Sequence, residues 1–153
     1  MSVGTAAQNS LPAGEGPTWT AIFASLQFKA DIPEGWSANT TTGRNSIDFF
    51  NDAAHIYVFP CSKDVTDVQT GMKEFADFFR DHGNVKGSTP TPASFPGGKG
   101  LWTEDASADG KYFWGVVQRG SDVYCASGLD RKGASAPFRD AFFTAFRSVQ
   151  RSR

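Results

Sequence analysis

Residues 55–83, HIYVFPCSKDVTDVQTGMKEFADFFRDHG, carry two periodicities back to back. His55 to Pro60 is a β-branched and aromatic run preceded by Asn51-Asp52, which reads as a strand entered from a turn. Pro60 cannot donate to a ladder, so the strand closes there. From Val65 the period lengthens to about 3.6, because Val65, Val68, Met72, Phe75 and Phe79 recur at steps of three and four. Asp67, Lys73, Asp77 and Arg80 fall on the opposite side. Thr66 and Gln69 have capping-box spacing with Asp64 as a competing cap, and Gly83 supplies a left-handed stop. His82, in the last turn, suits the negative end of the helix dipole. A strand handing over to an amphipathic helix fixes the local frame.

Working upstream, Ser46 to Phe50 pairs with His55 to Pro60 as a hairpin across Asn51-Asp52. Trp36 opens a short strand that stops at Thr40–Asn45. Before it, Leu26, Phe28, Ala30 and Ile32 alternate with Gln27, Lys29 and Asp31, the pattern of a strand with one buried face. Pro33-Glu34-Gly35 ends that strand as a turn. Order is expected to begin near Trp19, and residues 1–18, rich in Gly, Ala, Pro and Ser, read as a leader outside the core.

Downstream, Thr89-Pro90 and Thr91-Pro92 discourage a helix and allow at most an edge strand or an extended connection. Gly100 to Glu104, Lys111 to Arg119 and Asp122 to Ser127 follow as a meander, turned at Asp109-Gly110 and Gly120-Ser121. The chain closes on a second helix with Ser135 as cap and Pro137 in its first turn. Its apolar stripe is Phe138, Phe142, Ala145, Phe146 and Val149. The elements run β-β-β-β-α-β-β-β-α, without the βαβ alternation of a parallel sheet. The expected fold is therefore α+β: a twisted antiparallel sheet of about seven strands packed with two amphipathic helices as an α/β/α sandwich, in a single domain over 19–153.

Composition agrees with one aromatic-rich core. Of 153 residues 39% are apolar and 14% aromatic, carried by 14 Phe, 4 Trp and 3 Tyr, so large rings fill most of the interior. If Tyr57 and Phe59 alternate against Ile56 and Val58, both faces of the central strands are apolar, and helices are expected to cover both. A face left uncovered would expose rings and mark a ligand or protein interface.

Fifteen basic and sixteen acidic residues leave a net charge of −1. No stretch is dense enough in Lys and Arg to track phosphates, which argues against nucleic acid as a partner. Arg147, Arg151 and Arg153 read as cations at a helix end. No window approaches the length of an integral membrane segment. The first 16 residues have no positive n-region and no apolar h-region. The chain is then either cytoplasmic with a leader, or an export signal has been removed and Met1 stands in its place.

Candidate chemistry is sparse. Cys61 and Cys125, the only cysteines, are candidates for a disulfide or for two buried free thiols; the sequence leaves both open. With two His and no C-x-x-C they lack the spacing of a zinc site. A Cys61 nucleophile with a His55 base is the minimal thiol-enzyme arrangement. Glu104, Asp105 and Asp109 could in principle pair as glycosidase carboxylates, but read as ordinary strand-end and turn residues. Pro96-Gly97-Gly98-Lys99-Gly100 lacks the Ser or Thr and the helix of a phosphate loop and reads as a turn. No catalytic residue, cofactor site or metal site emerges.

Taken together, the strand and turn FKADIPEGW (28–36), the hairpin, the single helix, the long meander and a closing helix with Phe142, Ala145, Phe146, Arg147 and Ser148 resemble the PsbP/Mog-like fold. The resemblance covers roughly residues 19–151. It implies a noncatalytic accessory or adaptor domain that binds a protein or peptide, some of the small bacterial members being exported and some acting as secretion chaperones, and it transfers no catalytic residue. A domain binding a small apolar ligand is the alternative, and a thiol-dependent hydrolase using Cys61 and His55 a more distant one. An exported chain would be periplasmic or secreted.

Overall fold

The computed structural model describes residues 2–6, 10–11, 19–23, 25–40, 45–82, 89–131 and 136–152. Alternation of Phe28, Ala30 and Ile32 with Lys29 and Asp31 produces strand β4 (Phe28–Ile32), its apolar residues buried. It pairs antiparallel with β3 (Trp19–Phe23). Residues 1–18 were expected to lie outside the core; within them the backbone forms β1 (Ser2–Ala6), parallel to β3, and β2 (Ser10–Leu11). Ser2–Ala6 has Val3 as its one large apolar residue and Ser10–Leu11 is two residues long, so neither shows a period in the sequence.

The main sheet has seven antiparallel strands, β5 (Ser37–Asn39), β6 (Ile47–Phe50), β7 (His55–Pro60), β8 (Thr91–Phe95), β9 (Gly98–Ser107), β10 (Gly110–Arg119) and β11 (Asp122–Asp130), with β2 added at the β5 edge. Their spatial order is β5-β6-β7-β11-β10-β9-β8. Turn chemistry sets the hairpins. Asn51 Oδ1 accepts from the Ala53 and Ala54 amides between β6 and β7, and Gly97 and Gly120 take positive φ where β8–β9 and β10–β11 reverse. The proline-containing β8 lies at the sheet edge, where missing donors cost least.

Between β7 and β8, helix α1 (Val68–His82) carries the chain over one face of the sheet to its far edge. The meander then returns until β11 pairs with β7, Cys125 opposite Phe59. The cap of α1 is Asp67, whose Oδ1 accepts from the Thr70 amide at 2.8 Å, rather than Asp64 or Thr66. That amide hydrogen bond holds the Asp67 carboxyl below its ordinary pKa. The Gly83 stop and the Ser135 cap lie outside the described residues.

Helix α2 (Ala136–Ser148) covers the opposite face. Phe138, Phe142, Ala145, Phe146 and Val149 are all buried, as their spacing predicts. β4 and α2 share this layer, and Phe113, Phe138, Phe142 and Phe146 form a ring-on-ring column with centroids 5.0 to 5.6 Å apart. Phe146 lies against two glycines. A Cβ at Gly115 would stand 2.5 Å from the Phe146 ring and 2.9 Å from the Leu101 carbonyl; one at Gly100 would stand 2.7 Å from the same ring. Arg119 closes the end of α2, donating to the carbonyls of Arg147 and Val149, each at 2.6 Å. After α2, β12 (Gln150–Arg151) pairs with β4.

Cover is unequal. The expectation that helices seal both faces holds on the α2 side and fails on the α1 side. There Val68, Met72 and Phe79 bury against Trp114, Val116 and Val123, on β10 and β11, while on the same face of the β6–β7 hairpin Tyr57 is left 39% exposed.

Candidate functional site

The open half-face begins with the pleat. Ile56 and Val58 of β7 point into the α2-side core, so His55, Tyr57 and Phe59 point to the α1 side. α1 stands over β9 and β10, which leaves a groove of about 490 Å³ between the helix and β7. Tyr57 and Phe59 form its floor with Cys125 and Ser127, and Phe75 and Phe78 project from α1. Among the described residues the large hydrophobic side chains that are strongly exposed are Tyr57, at 39%, and Phe78, at 54%. Both line this groove.

Ring contacts extend the apolar surface in two directions. Tyr57 stacks on His55 at 5.9 Å, and His55 on Phe50 at 6.0 Å, a ladder across β7 and β6. On the helix side Phe59 meets Phe75 edge-on at 6.1 Å, and Phe78 meets Phe79 at 5.4 Å. The charge at the groove is acidic. Glu74 is the charged residue in its lining, accepting from the Ser62 hydroxyl at 3.3 Å. Asp48 stands opposite Tyr57 in the ladder and contacts His55 Nδ1 at 2.9 Å. Burial pushes the Asp48 carboxyl above its ordinary pKa, against the hydrogen bond to His55, which lowers it.

Cys61 and Cys125 form a disulfide with Cα atoms 5.3 Å apart. The register explains it: Tyr124 pairs with Pro60, and the Cys61 amide donates to Val123 O just beyond the last ladder pair. Cys125 forms part of the groove floor, while Cys61 faces a second recess of about 610 Å³ at the end of the sheet. That recess is polar, and Asp122 and Arg151 on its wall satisfy one another at 2.8 Å.

The remaining candidates are dispersed. His55 opens β7 and Cys61 follows its last residue, about 20 Å away along the extended chain, and the Cys61 sulfur is bonded. Glu104 and Asp105 point to opposite faces of β9: Glu104 binds Arg139 of α2 at 2.8 Å, while Asp105 is buried in register with Tyr112. Asp109 lies in the β9–β10 turn, and residues 96–100 form the β8–β9 turn and the start of β9. Among the described residues no cluster of three or more His, Cys, Asp or Glu could hold a metal ion, and no helix is long and apolar enough to cross a membrane.

Phe78 is the groove residue that pattern reading passes over. It sits one step off the buried stripe, beside Phe79, and an aromatic on the polar side of an amphipathic helix is the signal that marks it. No protein-family model matches the chain, and no curated protein matches it either.

Proposed function

We propose that the chain is a noncatalytic accessory or adaptor domain that binds a protein or peptide through the groove between α1 and β7. One observation carries the reading: Tyr57 and Phe78, the strongly exposed large hydrophobics among the described residues, converge on one concave site. Exposed rings cost solvation free energy, and aromatic side chains grouped in a concave apolar patch are the usual anchors of protein interfaces. We also read the chain as a PsbP/Mog-like domain, on the strength of the FKADIPEGW segment and the closing Phe142–Ser148 pattern. An extracytoplasmic location is part of the proposal, supported by the disulfide, which persists in oxidising compartments.

Peptide-library selection against the wild-type protein, with counter-selection against Phe78→Ser, tests the binding reading. Enriched peptides are expected to shift resonances around Tyr57 and to lose binding in the variant. Equal enrichment on both proteins contradicts it. The volume of the groove, about 490 Å³, also falls within the size of small-molecule sites, so a second reading is an apolar ligand seated on Tyr57 and Phe75. Native mass spectrometry of the purified protein separates the two, since a bound ligand adds a discrete mass.

A further inference from the structure

A sheet of seven strands is about 29 Å across at the usual strand spacing, and a helix covers roughly 10 Å of that width. On the α2 side the width is filled by a helix together with the small sheet, whose Phe28, Ala30 and Ile32 pack into the core. On the other side, among the described residues, α1 stands over β9 and β10 and packs against Val123 and Cys125 of β11. The part of the remaining width that lies over β7 and β6 is about that of one more helix. Its surface is the ladder Phe50, His55 and Tyr57, walled by Phe75 and Phe78.

Backbone accounting decides what kind of segment fits. β6 and β7 are interior strands, hydrogen-bonded to β5 and β11 on their outer sides and to each other. The groove wall is a helix, whose backbone is satisfied internally. Among the described residues no free strand edge faces the groove, so an extended peptide would bury amides and carbonyls against partners that cannot bond them; a helix brings its own hydrogen bonds. Charge decides the flank. Glu74 lies on the helix wall, Asp48 beside Tyr57 on the sheet, and among the described residues of the lining none is Lys or Arg.

We infer that the groove receives a basic amphipathic helix of a partner protein, laid beside α1 over the β6–β7 hairpin. The inference rests on the reading of the groove as a binding site. Apolar residues of the incoming helix at i, i+3 or i+4, and i+7 meet Tyr57, Phe75 and Phe78, and a Lys or Arg beside them meets Glu74.

Three designed peptides of about four helical turns test this by fluorescence anisotropy and resonance mapping on the intact chain: an amphipathic Leu/Lys helix, its Leu/Glu counterpart, and the Leu/Lys sequence broken by two central prolines. The basic helix is expected to bind at the groove about tenfold tighter than the other two, and Phe78→Ser to weaken it about tenfold. Glu74→Lys is expected to invert the preference between basic and acidic helices. Both variants change exposed positions, and an unchanged melting temperature confirms their folding. Groove binding of the proline-broken peptide as tight as that of the helix overturns the helical occupant while leaving the binding reading standing. An unchanged basic-to-acidic preference in Glu74→Lys overturns the charge assignment. Self-association abolished by Phe78→Ser, without peptide binding, assigns the groove to a second copy of the chain and overturns the inference. Absence of binding and of self-association overturns both readings.

Discussion

The two faces of the main sheet are built from the same strands and the same kind of side chain, yet one is sealed and the other half open. On the α2 side, Phe146 nests against Gly100 and Gly115, so the helix approaches the sheet closely, and the small sheet fills the remaining width. On the α1 side, Gly71 gives a similar close approach onto Val116, whose methyls a Cβ would meet at 2.8 and 2.9 Å, but nothing described lies beside the helix. Close packing of one helix therefore does not seal a wide sheet. The apolar alternation of β7, with Ile56 and Val58 to one side and Tyr57 and Phe59 to the other, invests rings in both faces, and only one investment is buried internally.

The contrast makes stability and binding separable. Phe146→Ala, at a position 1% exposed, is expected to cost about 3–5 kcal/mol by opening a cavity over the two glycines, read as a fall in the urea midpoint. A small loss would mean that α2 does not pack as closely as its glycine cradle implies. Reducing Cys61–Cys125, which spans 64 residues, is expected to cost about 2–4 kcal/mol; identical urea midpoints with and without reductant would show that no bond tethers β7 to the meander.

A smaller effect tests the half-buried carboxyl of Asp31, which accepts from Thr20 at 2.9 Å. Burial raises its pKa above the ordinary 3.8, so the folded chain holds this proton more tightly than the unfolded chain. Stability contributed by the protonated form is complete below pH 3.8 and is lost as pH rises through the folded value. Asp31→Asn keeps the acceptor and does not titrate, so its melting temperature is expected to exceed that of the wild type at pH 7 and to match it near pH 3. A gap that widens toward acid would reverse the sign. Smallest of all is the stability effect of Phe78→Ser, expected within about 0.5 kcal/mol because the ring is half in water; a loss above about 2 kcal/mol would mean that the ring is structural and not an anchor.

The strands and helices of the core were legible because local periodicity encodes them. Phe28, Ala30 and Ile32 announced β4, and the Val68–Met72–Phe79 stripe announced α1, although its cap moved to Asp67, where the carboxylate reaches the Thr70 amide. Long-range pairing was not legible. Trp19–Phe23 joins β4 in a second sheet, and the choice between free thiols and a disulfide was settled by the β7–β11 register, which no spacing in the sequence specifies. The groove was half legible: Tyr57 and Phe59 showed that both faces are apolar, while the width left over by α1 depends on which strands neighbour β7 in space. Phe78 escaped because stripe reading asks which residues are buried and passes over an aromatic on the polar side.

The central claim, one sealed face and one half-open face, is tested most directly by aromatic-proton relaxation with a soluble paramagnetic probe. Tyr57 and Phe78 are predicted to broaden strongly while Phe113, Phe142 and Phe146 remain sharp. Protection of Tyr57 equal to that of Phe142 would contradict the account.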